Sequence, residues 1–286
     1  MSAGEAFEWG LGLLSVSSES ARTDTRLLLA HAVGQSRTWA VAHPEAPLPA
    51  EEARAFVALC ERRRAGVPIA YLLGSAGFCG REFVVDESVL VPRPETEHLV
   101  EEALEFIRER IYPRDGPPKV LDVGTGSGAI ACTIASETAA KVDATDVSKN
   151  ALTVAIENAR RLGVSERCRF CEGDLVEPVR GNRYDVVIAN LPYVPSSDLR
   201  QAPDPTAFEP RLALDGGPDG LALYRRLLPQ IPQLLTSESL VLLEAAPPTI
   251  PMLKELLQRT LPNFAISIGH DYAGLARYIK AAAGVP

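Results

Sequence analysis

From residue 119 onward the chain alternates. Short apolar runs at 120–123, 142–145, 168–170, 184–190 and 240–244 are separated by stretches of helical periodicity, notably 127–138, 148–162, 221–235 and 251–260. Alternation of this kind argues for an α/β fold, a parallel sheet covered by helices on both faces. Two last runs, 264–269 and 275–281, are joined by a short loop with no helix between them, so the sheet is expected to end on a reversed hairpin.

The residues before this region read differently. Residues 18–34 place Ser ahead of an apolar stripe (Leu27, Leu28, Leu29, Val33) and Gly34 behind it, both expected helix boundaries. A second helix runs from Pro49 to Gly66. Its basic end, Arg62, Arg63 and Arg64, reads as a solvated last turn that complements the helix dipole, with contact to a partner as the other reading. Phe83, Val84 and Val85, then Val89, Leu90 and Val91, flank Asp86, Glu87 and Ser88, which predicts a β-hairpin. Pro94 suits the first turn of a following helix, and Glu95 and Glu97 suit its positive end. The expected organisation is a helical domain at 1–76, a hairpin linker at 77–92 and an α/β domain at 93–286.

Composition narrows the functional classes. At 286 residues the chain exceeds one average domain, and 46% apolar with 23% charged residues is ordinary for a globular protein. No run of 18 apolar residues exists, so no membrane span is expected. Twenty-nine basic against 37 acidic residues leave a net charge of −8, which brings no general attraction to phosphates, and no direct nucleic-acid binding is expected. Glu5 and Glu8 stand where a targeting segment would be basic or apolar, and five Cys are too few for a disulfide framework. Both point to the cytoplasm. Cys168 and Cys171 form a C-x-x-C, but strand geometry turns them to opposite faces, so they read as small core residues. His31, His43, His98 and His270 show no metal spacing, and no metal is expected.

VLDVGTGSGAI (120–130) ends a strand in Asp122 and places Gly124, Thr125, Gly126, Ser127 and Gly128 before a helix. Glycines there let the backbone turn tightly and approach a ligand. Asp146 follows about 20 residues on, where a carboxylate accepts hydrogen bonds from ribose hydroxyls. A nicotinamide enzyme and a methyltransferase both fit this much. Asp122, placed to hold an amino group, and Asp174 with Leu175, placed to meet an adenine, favour S-adenosylmethionine (leaving as S-adenosylhomocysteine).

Asn190, Leu191, Pro192 and Tyr193 follow the fourth strand of the alternation, beside the cofactor in an open sheet. A planar –NH2 is a poor nucleophile because its lone pair is delocalised. The Asn190 side-chain oxygen and the Leu191 carbonyl can each accept one of its hydrogens. That pair would favour positive charge on the nitrogen and aim it at a methyl group. Pro192 shapes the turn, and Tyr193 offers an aromatic face. Asn-x-Pro-Tyr is shared by methyltransferases acting on adenine, cytosine and glutamine, so it marks the reaction and not the substrate; a nicotinamide enzyme has no use for it.

At this point the chain resembles the bacterial peptide chain release factor glutamine methyltransferase family over nearly its whole length. The marks are RTDTRLLLAH (22–31), RRRAGVPIAYLLG (62–74), FCGREFVVDESVLVPRPETEHLV (78–100), the glycine segment, NLPYVPSSDL (190–199) and FEPRLALDGGPDGLALYRRLL (208–228). The resemblance implies a seven-stranded Rossmann-like S-adenosylmethionine-dependent methyltransferase with a small all-helical N-terminal domain joined by a β-hairpin. It implies transfer to the glutamine amide of the Gly-Gly-Gln motif of release factors, with the helical domain gripping that protein partner, by a monomer. Cofactor contacts would fall at Gly124 to Gly128, Asp146, Leu175 and Asn190, and the substrate glutamine would lie against Asn190 to Tyr193. An adenine amino-group methyltransferase of RNA or DNA is the alternative.

The sequence departs from the family at two places. Leu191 stands where Pro is usual, which predicts a less rigid loop with its carbonyl retained. Ala245, Ala246, Pro247 and Pro248 replace the usual residues after Glu244, a region expected to border the sheet and not the amide clamp. Arg93, Glu95 and Glu97 are candidates for the substrate entrance, and Glu209 with Arg211 for an ion pair supporting the site loop.

Overall fold

Local signals build the N-terminal helices one at a time. The computed structural model describes residues 1–111 and 116–283, so the last three residues of the expected 93–286 span lie outside the described residues. Helices α1 (Ala3–Leu14), α2 (Ala21–Val33), α3 (Trp39–Ala42), α4 (Ala50–Arg64) and α5 (Ile69–Leu73) come first. A capping box opens α1: the Ser2 side chain accepts the Glu5 N–H at 3.2 Å, and the Glu5 carboxylate accepts the Ser2 N–H at 2.8 Å. Gly34, at φ +63°, closes α2 in the left-handed conformation. Leu14, Leu28, Leu29, Phe56 and Cys60 are fully buried between these helices. Arg63 fits neither reading of the basic run, because it turns inward: its Nε donates to buried Asp24 at 2.8 Å, and Ser18 and Ser20 donate to the same carboxylate.

The chain divides into two compact units, Met1–Ser75 with Arg200–Phe208 and Ala76–Leu199 with Glu209–Pro286. The helical unit therefore includes a segment that the sequence places far downstream. Its seat in that unit is close: a Cβ on Gly66 would meet the Pro203 carbonyl oxygen at 2.1 Å.

Strands β1 (Ser75–Phe78) and β2 (Arg81–Val84) pair through a two-residue turn at Cys79 and Gly80. Both turn residues lie at positive φ, +47° and +71°, as a type I′ hairpin requires. The hairpin thus precedes the predicted one. Val89, Leu90 and Val91 form no strand, and Asp86 closes a local turn by accepting the Ser88 N–H at 2.9 Å. Phe78 and Phe83 meet edge to face with centroids 6.0 Å apart and are buried.

A 3-10 turn at Pro94–Thr96 leads into α6 (Glu97–Phe106). The alternation then runs β3 (Lys119–Val123), α7 (Ala129–Glu137), β4 (Lys141–Asp146), α8 (Lys149–Arg161), β5 (Cys168–Glu172), β6 (Tyr184–Ala189), α9 (Ala222–Leu227), β7 (Leu235–Glu244), α10 (Ile250–Thr260), β8 (Ala265–His270) and β9 (Ala276–Ala282). One seven-stranded sheet results, in the order β5-β4-β3-β6-β7-β9-β8. Pairs from β5 through β7 are parallel, and β9 is antiparallel to β7 and β8. The order reverses between β3 and β6, which opens a crevice at their carboxyl ends.

Alternate residues fill two cores. Val120, Val142, Val186 and Ile188 pack on one face with α6 and α7. Leu121, Val123, Val187 and Val241 pack on the other with α9 and α10. Cys168 joins the first core and Cys171 packs against the second, on opposite faces as strand alternation requires. The helix expected over 221–235 is cut short at Leu227, with 3-10 turns at Leu228–Gln230 and Pro232–Leu234. Pro229 and Pro232 have no N–H to continue the helical ladder.

Candidate active site

A cavity of about 290 Å³ opens at the carboxyl ends of β3, β4 and β6. Of the predicted residues, Gly124, Thr125, Gly126, Ser127, Asp146, Asp174, Leu175, Asn190, Leu191 and Pro192 line it. Asp122, Gly128 and Tyr193 do not.

The glycine loop is held from behind. The N–H groups of Gly124 and Thr125 donate to the Thr145 carbonyl at 2.8 and 2.9 Å. Gly124 and Gly126 lie at φ +75° and +54°, and a Cβ on Gly124 would press within 2.9 Å of the Leu191 side chain. Asp146 spans the loop and the next helix: one oxygen accepts the Gly126 N–H at 2.9 Å, the other the Ser148 N–H at 2.8 Å. Burial pushes its carboxyl upward against those hydrogen bonds. Ile130, Val147 and Leu175 supply apolar wall beside it. A carboxylate fixed by two backbone donors between apolar walls can hold a ribose beside a flat ring.

Two of the predicted cofactor residues stand behind the cavity wall. Asp122 is fully buried; its Oδ2 accepts the Thr125 hydroxyl at 2.6 Å, and its Oδ1 has no hydrogen-bond partner among the described residues. Burial pushes its carboxyl up to about 7. Gly128 is the N-cap of α7, where a Cβ would come within 3.0 Å of the Ala155 Cβ; its glycine serves helix packing. Asp174 lines the cavity with its carboxylate paired to Arg226. Leu175 is held at φ +50°, a conformation unfavourable for a side chain, at the cavity wall.

Around Asn190 the structure joins residues that the sequence reading kept apart. The Asn190 Nδ2 donates to the Thr96 hydroxyl at 3.0 Å, and that hydroxyl donates to Glu244 Oε2 at 2.7 Å. The Tyr193 hydroxyl donates to the other oxygen, Glu244 Oε1, at 3.2 Å. Glu244 is 1% exposed, and burial pushes its carboxyl up to about 7. The end of β7 therefore anchors the Asn-x-Pro-Tyr loop, contrary to the expectation that this region only borders the sheet. The available signal was a Glu closing the otherwise apolar run LVLLE, where a buried charge needs partners.

Leu191 is also tied down. Its N–H donates at 3.3 Å to the hydroxyl of fully buried Tyr224, which itself donates to the Glu244 carbonyl. Proline would have no N–H for this bond, so the loop expected to loosen has gained a fastening. Gly216 and Gly220 let the backbone close on Tyr193, and Val194 and Asp215 form a bridge. Glu209 and Arg211 do not pair. Glu209 takes the Val91 N–H at 3.1 Å and pairs with Arg93, while Arg211 pairs with Asp215 at 3.1 Å. Arg93 and Thr96 line the cavity; Glu95 and Glu97 do not. Glu95 faces Arg277, and Glu97 accepts the Cys79 N–H.

Comparisons with known proteins identify the family and the fold. Residues 5–74 match the family model of the PrmC N-terminal domain, and residues 117–246 match a methyltransferase domain. A release factor glutamine methyltransferase from Bacillus subtilis is 36% identical over 281 residues, covering 97% of this chain and 96% of its own length. One from Bordetella pertussis is 46% identical over 209 residues, 72% of this chain and 74% of that one. A solved methyltransferase from Pyrococcus furiosus shares the fold with a TM-score of 0.51 at 18% identity, over 73% of this chain and 92% of that one.

Proposed function

The chain belongs to the release factor glutamine methyltransferase family, and from that premise we infer that it methylates the side-chain amide nitrogen of the glutamine in the Gly-Gly-Gln motif of peptide chain release factors. It is a protein-glutamine N-methyltransferase. The observation that carries the chemistry is the fixed Asn190, whose Nδ2 is spent on Thr96.

S-adenosylmethionine is assigned to the cavity. The fit rests on the donor set: Asp146 is held at the wall by backbone N–H groups, and Gly124 stands where a Cβ would crowd Leu191. Asp146 is assigned to the ribose, the glycine loop to the methionine end, and Leu175 to the adenine. When bound, this cofactor supplies a methyl group made electrophilic by a sulfonium.

The protein's part is to present a nitrogen whose lone pair is poorly available. With Nδ2 donating to Thr96, Asn190 has its Oδ1 left to accept one amide hydrogen of the substrate. We assign the second hydrogen to the Leu191 carbonyl. Both acceptors favour the positive charge that develops on nitrogen, and their fixed positions orient it. The nitrogen would lose its proton to water after transfer, with the cofactor leaving as the neutral thioether, so attack needs no general base. The helical unit is assigned to gripping the release factor.

Incubation with methyl-labelled S-adenosylmethionine tests this reading. Label is expected on a release factor, none on its Gly-Gly-Gln to Gly-Gly-Asn variant, and none on ribosomal RNA. Label on RNA alone would overturn the protein-glutamine assignment.

A further inference from the structure

We propose that Thr96 and Glu244 are positioning residues: the ionised Glu244 carboxylate, acting through the Thr96 hydroxyl, holds the Asn190 carboxamide with its oxygen toward the substrate, and a proton on Oε2, the carboxylate oxygen facing Thr96, undoes that orientation. The proposal rests on the protein-glutamine reading for its consequence in catalysis, but not for the orientation itself.

A hydroxyl has one proton to give. Ionised Glu244 can only accept, so the Thr96 proton is committed to Oε2 at 2.7 Å and the Tyr193 proton to Oε1 at 3.2 Å. The Thr96 oxygen then meets Asn190 only as an acceptor, at 3.0 Å, and this selects the amide's –NH2 end. The opposite end, an oxygen, is left facing outward. Without the relay the two ends of a carboxamide are nearly equal in shape and opposite in polarity. Turned round, Asn190 would offer a donor to a substrate –NH2 that itself only donates.

A proton taken from water by Glu244 converts one oxygen from acceptor to donor. On Oε2 it would point at Thr96, whose own proton would turn to Asn190 and demand the amide oxygen. On Oε1 it would displace the Tyr193 proton. The form protonated on Oε2, the oxygen facing Thr96, is the one that reverses Asn190; a proton on Oε1 turns Tyr193 from donor to acceptor and leaves the Thr96 bond in place. The groups facing Glu244 are Thr96 and Glu95 from the 3-10 turn, Tyr193 from the loop, Tyr224 from α9 and Arg277 from β9. Arg277 is shared with Asp271 at 2.7 Å and Glu95 at 3.5 Å, so its charge is divided. Tyr278, the β9 register partner of Glu244, gives its hydroxyl to Glu102. Burial pushes the Glu244 carboxyl up to about 7, so the change falls within an accessible range.

The test pairs kinetics with a signal independent of activity. Thr96→Val is expected to lower kcat on the order of a hundredfold, the scale of a misplaced reacting group, with cofactor affinity unchanged. Thr96→Ser is expected to restore most of it. The wild-type kcat should fall about tenfold per pH unit below a midpoint near 7, as for one essential ionised group, and Glu244→Gln should lose that acid limb. Asp122 is also pushed up to about 7, so the assignment rests on the difference between wild type and Glu244→Gln. In 15N spectra the Asn190 side-chain amide pair, identified by its loss in Asn190→Ala, should titrate with the same midpoint and stand still in Glu244→Gln. Full kcat in Thr96→Val, or an Asn190 amide that does not titrate, overturns the proposal. Should Glu244→Gln fail to fold, the Thr96 pair and the wild-type titration decide alone. An enzyme that leaves the release factor unlabelled while its Asn190 amide titrates would sink the functional reading and leave the relay standing.

Discussion

Asn190 shows how much a single side chain depends on what stands behind it. Replacing it with Ala removes one of two acceptors aimed at the developing charge, a loss on the order of 10²–10³ in kcat. Thr96 and Glu244 would remain in place, so cofactor affinity measured by calorimetry should stay close to wild type; full transfer by Asn190→Ala would contradict the clamp. Gly216 is a second point of dependence. A Cβ there would sit 2.7 Å from both the Pro192 oxygen and the Tyr193 Cα, and backbone atoms cannot step aside as a side chain can. Gly216→Ala should therefore cost about 1–3 kcal/mol in denaturant unfolding, as overpacking does, and shift the Asn190 loop. Of this site, the Asn-x-Pro-Tyr loop and the glycine turn were legible because their spacing is local. Glu244 and Tyr224 were not, because each meets the site from a distant stretch of chain; the apolar run before Glu244 marks a buried charge but not its partners, and Glu209 was legible as a support with its partner misassigned.

At the level of elements, the alternation of strand and helix was readable because burial on both faces makes each parallel strand a compact apolar run. The hairpin was misplaced for an equally physical reason. Cys79 and Gly80 adopt the left-handed turn without the Asn or Asp that usually marks it, while Asp86 to Ser88 carries turn chemistry but joins no pair of strands. Asn158 of α8 then secures the true hairpin. Its Oδ1 accepts the Val84 N–H at 2.7 Å, and its Nδ2 donates to the Val84 carbonyl at 3.0 Å and the Ser127 carbonyl at 2.9 Å. One buried amide so ties the end of β2 to the glycine loop through α8. Asn158→Ala leaves those backbone groups without their partner, at about 2–4 kcal/mol on the scale of unsatisfied buried groups. Urea titration should show that loss, and cofactor affinity should fall with it because the glycine loop is released; an unchanged midpoint would count against the tie.

For the molecule as a whole, the buried carboxyls of the site set stability against activity. Burial raises Asp122 and Glu244 to about 7, and Asp146 moves in the same direction. Unfolded, these groups release their protons near pH 4. Between about pH 4 and 7 the folded protein therefore holds protons that the unfolded chain has given up, so stability declines as pH rises through that window and levels off above it. The surface pairs act at the other end. Asp219, hydrogen-bonded by Arg225, is held down at about 2, and Arg277 holds Asp271 down; their contribution is present above about pH 4 and is lost as pH falls below it. The thermal midpoint should thus be highest near pH 4, where the relay is protonated and transfer is slow, and lower at pH 8, where the Asn190 clamp is set. Glu244→Gln separates the two demands, since it removes the charge that burial penalises together with one of the two acceptor oxygens that Thr96 and Tyr193 use. Its thermal midpoint should exceed that of wild type at pH 8 and match it near pH 4, while its transfer rate at pH 8 falls below wild type. Scanning fluorimetry across pH 4–9 checks this directly, and a wild-type midpoint that climbs from pH 5 to 8 would mean that the site carboxyls do not govern the balance.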